Sequence, residues 1–127
     1  MRLLPILLLI VCFSVKAEWS RISSTDESEM YIDTGAIEKT GNNRRFWILQ
    51  NFSEVDSERG KPVASTRDFV EIACDKRQYR ILKQDWFSER WLEGKLQTPT
   101  KFSNLGEWDF VPPGTPINTM MKKLCPK

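Results

Sequence analysis

Two cysteines, Cys74 and Cys125, are the residues of this 127-residue chain whose chemistry is easiest to specify. A lone pair of thiols in a small exported protein reads as one structural disulfide. A redox pair favours the close Cys-x-x-Cys spacing, which is absent. The chain also contains no histidine. That removes the Ser-His-Asp and Cys-His nucleophile arrangements, histidine metal ligands and imidazole as acid or base. With both thiols bonded, neither a thiolate nucleophile nor a cysteine zinc site remains. The acidic groups, Asp26 with Glu27 and Glu29, and Glu107 with Asp109, read as solvated turn residues rather than a glycosidase pair or calcium ligands. Gly94 and Gly106 are isolated, so no glycine-rich phosphate loop is present. The expectation is a protein that is not an enzyme and carries no cofactor and no metal.

The disulfide reading presupposes export. Met1 and Arg2 give a short positive start, Leu3 to Val15 is an almost unbroken apolar run, and Val15-Lys16-Ala17 offers compact residues at both cleavage-determining positions. A run of that length makes roughly 20 Å of helix, short of the roughly 30 Å hydrocarbon core, so a signal peptide over 1–17 is expected rather than a permanent membrane span. Cys12 follows Val11, where a lipid-attachment site calls for a small residue, so Cys12 is expected to leave with the signal. What remains, 18–127, is the length of one ordinary domain. The full chain has 19 basic and 17 acidic residues, and removal of Arg2 and Lys16 leaves 17 against 17. A neutral domain lacks the basic excess that nucleic acid binding requires.

Apolar patterning in that domain is mostly strand-like. Trp19 to Ile22 and Met30 to Asp33 are short apolar-bearing runs separated by a polar turn. Thr34 to Asn43 connects them to Arg44 through Phe52, which is aromatic and apolar on both faces and reads as a central strand. Ser53 to Ala64 is polar and contains Gly60 and Pro62. Ser65 to Cys74 then alternates, and Asp75-Lys76-Arg77 turns it into Gln78 to Phe87, the best hairpin of the chain. The residues from Ser88 through Gly106 read as a long connection, and Trp108 to Val111 as a last short strand stopped by Pro112-Pro113-Gly114. Thr115 stands as a helix N-cap with Pro116 at the first helical position. Ile117, Met120, Met121 and Leu124 form one apolar stripe, with Lys122 and Lys123 at the helix's negative end. Cys74 is expected to share a strand face with Val70 and Ile72, and Cys125 borders the stripe, so the bond clamps the helix onto the sheet.

Two surface features are candidate protein contacts. Arg77, Arg80 and Lys83 recur at threes, which on a regular strand sends Arg77 and Lys83 to one face and Arg80 to the other. With Arg44 and Arg45 they form a candidate basic patch. Trp86, Phe87 and Trp91 form a candidate aromatic cluster near the long connection.

The order of several segments resembles the surface-adhesin protein E family of Gram-negative bacteria. They are Trp19-Ser20-Arg21-Ile22, Met30-Tyr31-Ile32-Asp33, Arg45 through Phe52, Ser65-Thr66-Arg67, Glu71-Ile72-Ala73-Cys74, Arg80-Ile81-Leu82, Trp108 through Gly114, and Cys125. The resemblance spans 18–127. It implies an α+β fold, a six-stranded antiparallel β-sheet with a C-terminal α-helix tethered to its concave side by the disulfide, and a tendency to form a homodimer. It also implies a non-enzymatic adhesin for host extracellular-matrix or plasma proteins at the outer-membrane surface. A periplasmic accessory or inhibitor protein with an endogenous envelope partner, held by an exposed sheet edge, is the competing expectation.

Overall fold

Central to the molecule is a long strand, 43–56, whose residues alternate over most of its length between a buried and a half-buried face. The computed structural model describes residues 1–12, 16–56, 62–97 and 104–127. Segment 57–61 of the expected polar loop, 98–103 of the long connection and 13–15 of the N-terminal apolar run lie outside the described residues. The strands are β1 (Trp19–Ser24), β2 (Ser28–Asp33), β3 (Glu38–Thr40), β4 (Asn43–Asp56), β5 (Val63–Ala73), β6 (Gln78–Phe87), β7 (Leu96–Gln97) and β8 (Asp109–Phe110), followed by the helix α1 (Pro116–Leu124). All the pairings are antiparallel, in the order β1-β2-β4-β5-β6-β7. The β3 strand pairs with the start of β4, and β8 with the start of β6.

Every expected strand is present, and two further ones appear where a connection was expected. Glu38–Thr40 folds back on Asn43–Arg45 through a tight turn at Gly41, whose φ of 58° suits a residue without a side chain. Leu96–Gln97 adds to the edge of β6 within the long connection. Both strands are too short to carry a readable alternation. Cys74 also differs from the sequence reading. It lies one residue past the end of β5 and opens a single 3-10 turn, Cys74–Lys76, from which Arg77 leaves at φ 51°, yet it still packs against the core that holds Val70 and Ile72.

The core is one-sided. Phe46 and Ile48 from β4, Ile32 from β2, and Val70 and Ile72 from β5 project to the same face and are buried against Met120 and Met121 of α1, with Val111 beside them. Ile117 and Leu124 complete the helical stripe. Thr115 Oγ1 accepts the Asn118 backbone N–H at 3.3 Å, and Pro116 begins the helix. At the other end, Cys125 is bonded to Cys74 with their Cα atoms 5.8 Å apart. Beside that bond the buried Arg44 donates from Nε to the carbonyl of Leu124 at 3.2 Å and from Nη1 to the carbonyls of Gly41 and Asn43, both at 2.9 Å. A cation thus fastens the negative end of the helix to the central strand. No described helix is long and apolar enough to cross a membrane.

Candidate binding face

Because α1 covers one face of the sheet, the alternate residues of β4, β5 and β6 form the other face. The register places Arg45, Trp47 and Leu49 of β4 across from Glu71, Phe69 and Arg67 of β5. Glu71, Phe69, Arg67 and Ser65 in turn face Arg80, Lys83, Asp85 and Phe87 of β6. A bulge makes this possible. Phe69 pairs with Lys83 while Val70 pairs with Ile81, so Leu82 is the extra residue and the alternation of β6 shifts there. Arg80 and Lys83 therefore share a face, contrary to the unbroken alternation expected from sequence.

Aromatic rings and guanidinium groups interleave across this face. Trp47 and Phe69 lie 4.8 Å apart, centroid to centroid. Arg67 stands 4.9 Å from the Trp47 ring and 5.7 Å from that of Phe87, and it pairs with Asp85 at 2.7 Å. Arg80 lies 4.4 Å from the Trp108 ring. Such cation–π contacts are worth about 0.5–1 kcal/mol each at exposed sites and more when a partner removes water from them. Trp47, Phe69, Arg67 and Phe87 are half-buried, and Trp108 is exposed. The turn around residues 90–92 packs over one end of this face, and Trp108 lies over Arg80 at the other.

Beneath the ladder, Glu71 is buried and accepts from three donors. These are Arg80 Nε at 2.7 Å on Oε1, and Arg45 Nε and Asn43 Nδ2, each at 3.2 Å, on Oε2. Burial is the largest influence and pushes its carboxyl up, but the hydrogen bonds from Arg80, Asn43 and Arg45 together outweigh it, so the group lies below its ordinary value of 4.5.

At the far end of the face, a strained turn presents Trp91. Trp91 and Leu92 both have φ of 61°, the left-handed region that costs a non-glycine residue about 1–2 kcal/mol. Buried polar groups hold them there. Asn51 Oδ1 accepts the Trp91 N–H at 2.7 Å, Ser65 Oγ accepts the Leu92 N–H at 3.0 Å, and Ser65 Oγ donates to the carbonyl of Glu89 at 2.6 Å. Asn51 and Ser65 are fully buried, and Asn51 Nδ2 has no hydrogen-bond partner. The Trp91 ring leans on Tyr31 at 5.1 Å and 52°. Tyr31 donates its hydroxyl to Glu29 Oε2 at 2.7 Å, which with burial holds the phenol above 10.0 and so protonated. Arg90 lies 3.6 Å from the same carboxylate oxygen.

Gly94 closes the turn at φ 76°, where an added Cβ would collide with Ser88 Oγ and lie 2.8 Å from Glu89 Cγ. Gly94→Ala is expected to destabilise the protein by about 1–2 kcal/mol in urea unfolding. An unchanged midpoint would show that the turn is not under this constraint.

The residues singled out from sequence are divided among different places. Arg45, Arg80 and Lys83 lie on the open face, but Arg45 and Arg80 are engaged by Glu71, and Lys83 Nζ lies 3.9 Å from Asp85. Arg44 is on the helix side. Arg77 leaves the turn after Cys74, with Nη2 3.4 Å from Asn118 Oδ1 on the helix. Trp86 is buried on the helix-facing side and donates Nε1–H to Gln84 Oε1 at 2.7 Å. Phe87, the next residue, points to the open face, and Trp91 joins Tyr31. Five residues escaped the sequence reading: Trp47, Arg67, Phe69, Glu71 and Trp108. Alternation in β4 and β5 marks the first four as sharing a face, a signal hidden because both faces of β4 are apolar.

The sequence profile of the family described as surface-adhesin protein E matches residues 19–126. No curated protein matches the chain in a sequence search. Among solved structures, Haemophilus influenzae protein E superposes with a TM-score of 0.64 at 19% identity, over 88% of this chain and 86% of that one. Its second crystal form gives 0.69 at 17% identity, over 88% and 90%. At such identities the likeness establishes the fold.

Proposed function

Because the chain belongs to the surface-adhesin protein E family, we propose that it is an exported, non-enzymatic binding protein whose open sheet face engages a protein ligand. Residues 1–17 serve as the signal peptide in this reading, and 18–127 act as the adhesin-like domain in the envelope of a Gram-negative bacterium. The observation that carries it is the ladder of Trp47, Phe69, Arg67 and Phe87 on the face opposite the helix. Aromatic and arginine side chains are the residue types that dominate binding energy at protein interfaces. Host extracellular-matrix or plasma proteins are the ligands this reading favours, and self-pairing into a homodimer uses the same kinds of side chain.

A specific observation favours a second reading, that of a periplasmic accessory or inhibitor protein with an endogenous partner. Among the described residues, strand β1 pairs with β2 alone and offers its outer edge for strand addition. Cell fractionation with surface protease digestion separates the two. The adhesin reading expects protease-accessible protein on intact cells, and binding of the purified protein to immobilised matrix proteins that Arg67→Ala weakens about tenfold. A protected, purely periplasmic protein without such binding would sink it and leave the edge-pairing reading.

A further inference from the structure

We infer that the Trp91 turn is a saccharide site, with the Trp91 ring as the platform for a neutral pyranose residue of a glycan and Glu29 and Arg90 as its polar rim. The inference goes beyond the proposed protein ligand and does not depend on it. Two consecutive non-glycine residues are held in the left-handed region, and burial does not account for it, because Trp91 remains 46% exposed. Strain that leaves a large ring in water is a mark of function rather than of packing. The supports are dedicated. Asn51 and Ser65, both fully buried, accept the backbone N–H groups of Trp91 and Leu92, and Asn51 does so with its own Nδ2 left without a partner.

The chemistry around the ring selects the ligand class. A pyranose has one flat face of C–H groups and a rim of hydroxyls that both donate and accept. The Trp91 ring, braced against Tyr31 at 5.1 Å and left partly exposed, offers a flat apolar platform of about the size of one sugar ring. At its edge the Glu29 carboxylate and the Arg90 guanidinium stand 3.6 Å apart, 31% and 46% exposed, an acceptor and a donor side by side for neighbouring hydroxyls. Tyr31 orients the carboxylate through its hydrogen bond to Oε2. An aromatic anchor for a protein partner sits instead near the centre of a contact that excludes water. Here the rim is charged and wet.

Saturation-transfer NMR on the folded, disulfide-bonded protein tests this, with lactose, cellobiose and α-1,3-mannobiose as separate probes. Transfer to the ring C–H protons of at least one probe is expected. Trp91→Ala should abolish it while Trp91→Tyr retains part of it, and Glu29→Gln should weaken binding by about tenfold, the effect of one charge-assisted hydrogen bond. Circular dichroism and the thermal midpoint of each variant report folding, and if Trp91→Ala does not fold, the Trp91→Tyr and Glu29→Gln comparisons decide. Absence of transfer to all three probes, or transfer that persists in folded Trp91→Ala, would overturn the assignment. The assay contains no protein ligand and no cells, so its failure leaves the adhesin and edge-pairing readings untouched. A protein that covers Trp91 while no saccharide binds would likewise overturn it.

Discussion

Replacing Cys125 with serine is expected to lower the unfolding free energy by about 4 kcal/mol, the chain-entropy value for a closed loop of this size, set by a separation of 51 residues. In a domain whose net stability is of order 5–15 kcal/mol, the thermal midpoint should fall by roughly 15 °C. The loss has a defined location. Beyond the disulfide, α1 is held at its C-terminal end by Arg44 on the Leu124 carbonyl, and by the burial of Met120 and Met121 against Phe46 and Ile72. Hydrogen exchange of the variant should therefore accelerate in 116–124 first, while the amides of β4 and β5, paired on both sides, stay protected. A midpoint that does not move on substitution or reduction would mean that packing alone fixes the helix.

Glu71→Ala is expected to cost about 3 kcal/mol. The substitution leaves Arg45, Arg80 and the Asn43 amide pointing at a buried void, and the loss of one partner from a buried ionic cluster is the damaging case. The figure is set at the lower end because the two guanidinium groups keep 39% and 26% of their side-chain exposure and recover hydration. Acid sensitivity follows from the same group. Its folded carboxyl lies below the ordinary 4.5, so the unfolded chain binds the proton first as pH falls. The contribution of Glu71 is therefore complete above the ordinary value, declines below it, and is gone once pH passes below the lowered folded value. Glu71→Gln should flatten this acid limb of the stability profile. A limb of unchanged slope in urea titrations across that window would show that other carboxylates govern it.

Much of the architecture was legible because it rests on local patterns. The Thr115-Pro116 start and the stripe of Ile117, Met120, Met121 and Leu124 specify the helix and its buried face without knowledge of what it meets. The hairpin of β5 and β6 was legible from alternation on either side of Asp75-Lys76-Arg77. Two cysteines without a rival thiol in the domain named their own pairing. Strands β3 and β7 were not legible, since three residues and two residues form strands only because a long neighbour offers an unpaired edge.

The candidate face separates the two kinds of knowledge more sharply. Sequence alone determined which groups were available: no histidine, two thiols placed to bond each other, equal numbers of acidic and basic residues over 18–127, and arginine and tryptophan side chains within strand-like runs. Which of those groups meet was decided by the tertiary structure. One bulge residue, Leu82, moved Lys83 onto the face of Arg80. Burial beneath the helix end took Arg44 out of the basic patch, and Glu71, a single carboxylate in β5, drew in Arg45 and Arg80. Adjacent residues Trp86 and Phe87 were sent to opposite faces by the pleat, and Trp91 was carried to Tyr31 by a turn held on Asn51 and Ser65. The physical reason is the range of the interactions. Propensity, capping and alternation act over a few residues and are written in the chain, whereas register, bulges and charge pairing join residues that only the assembled sheet brings within reach.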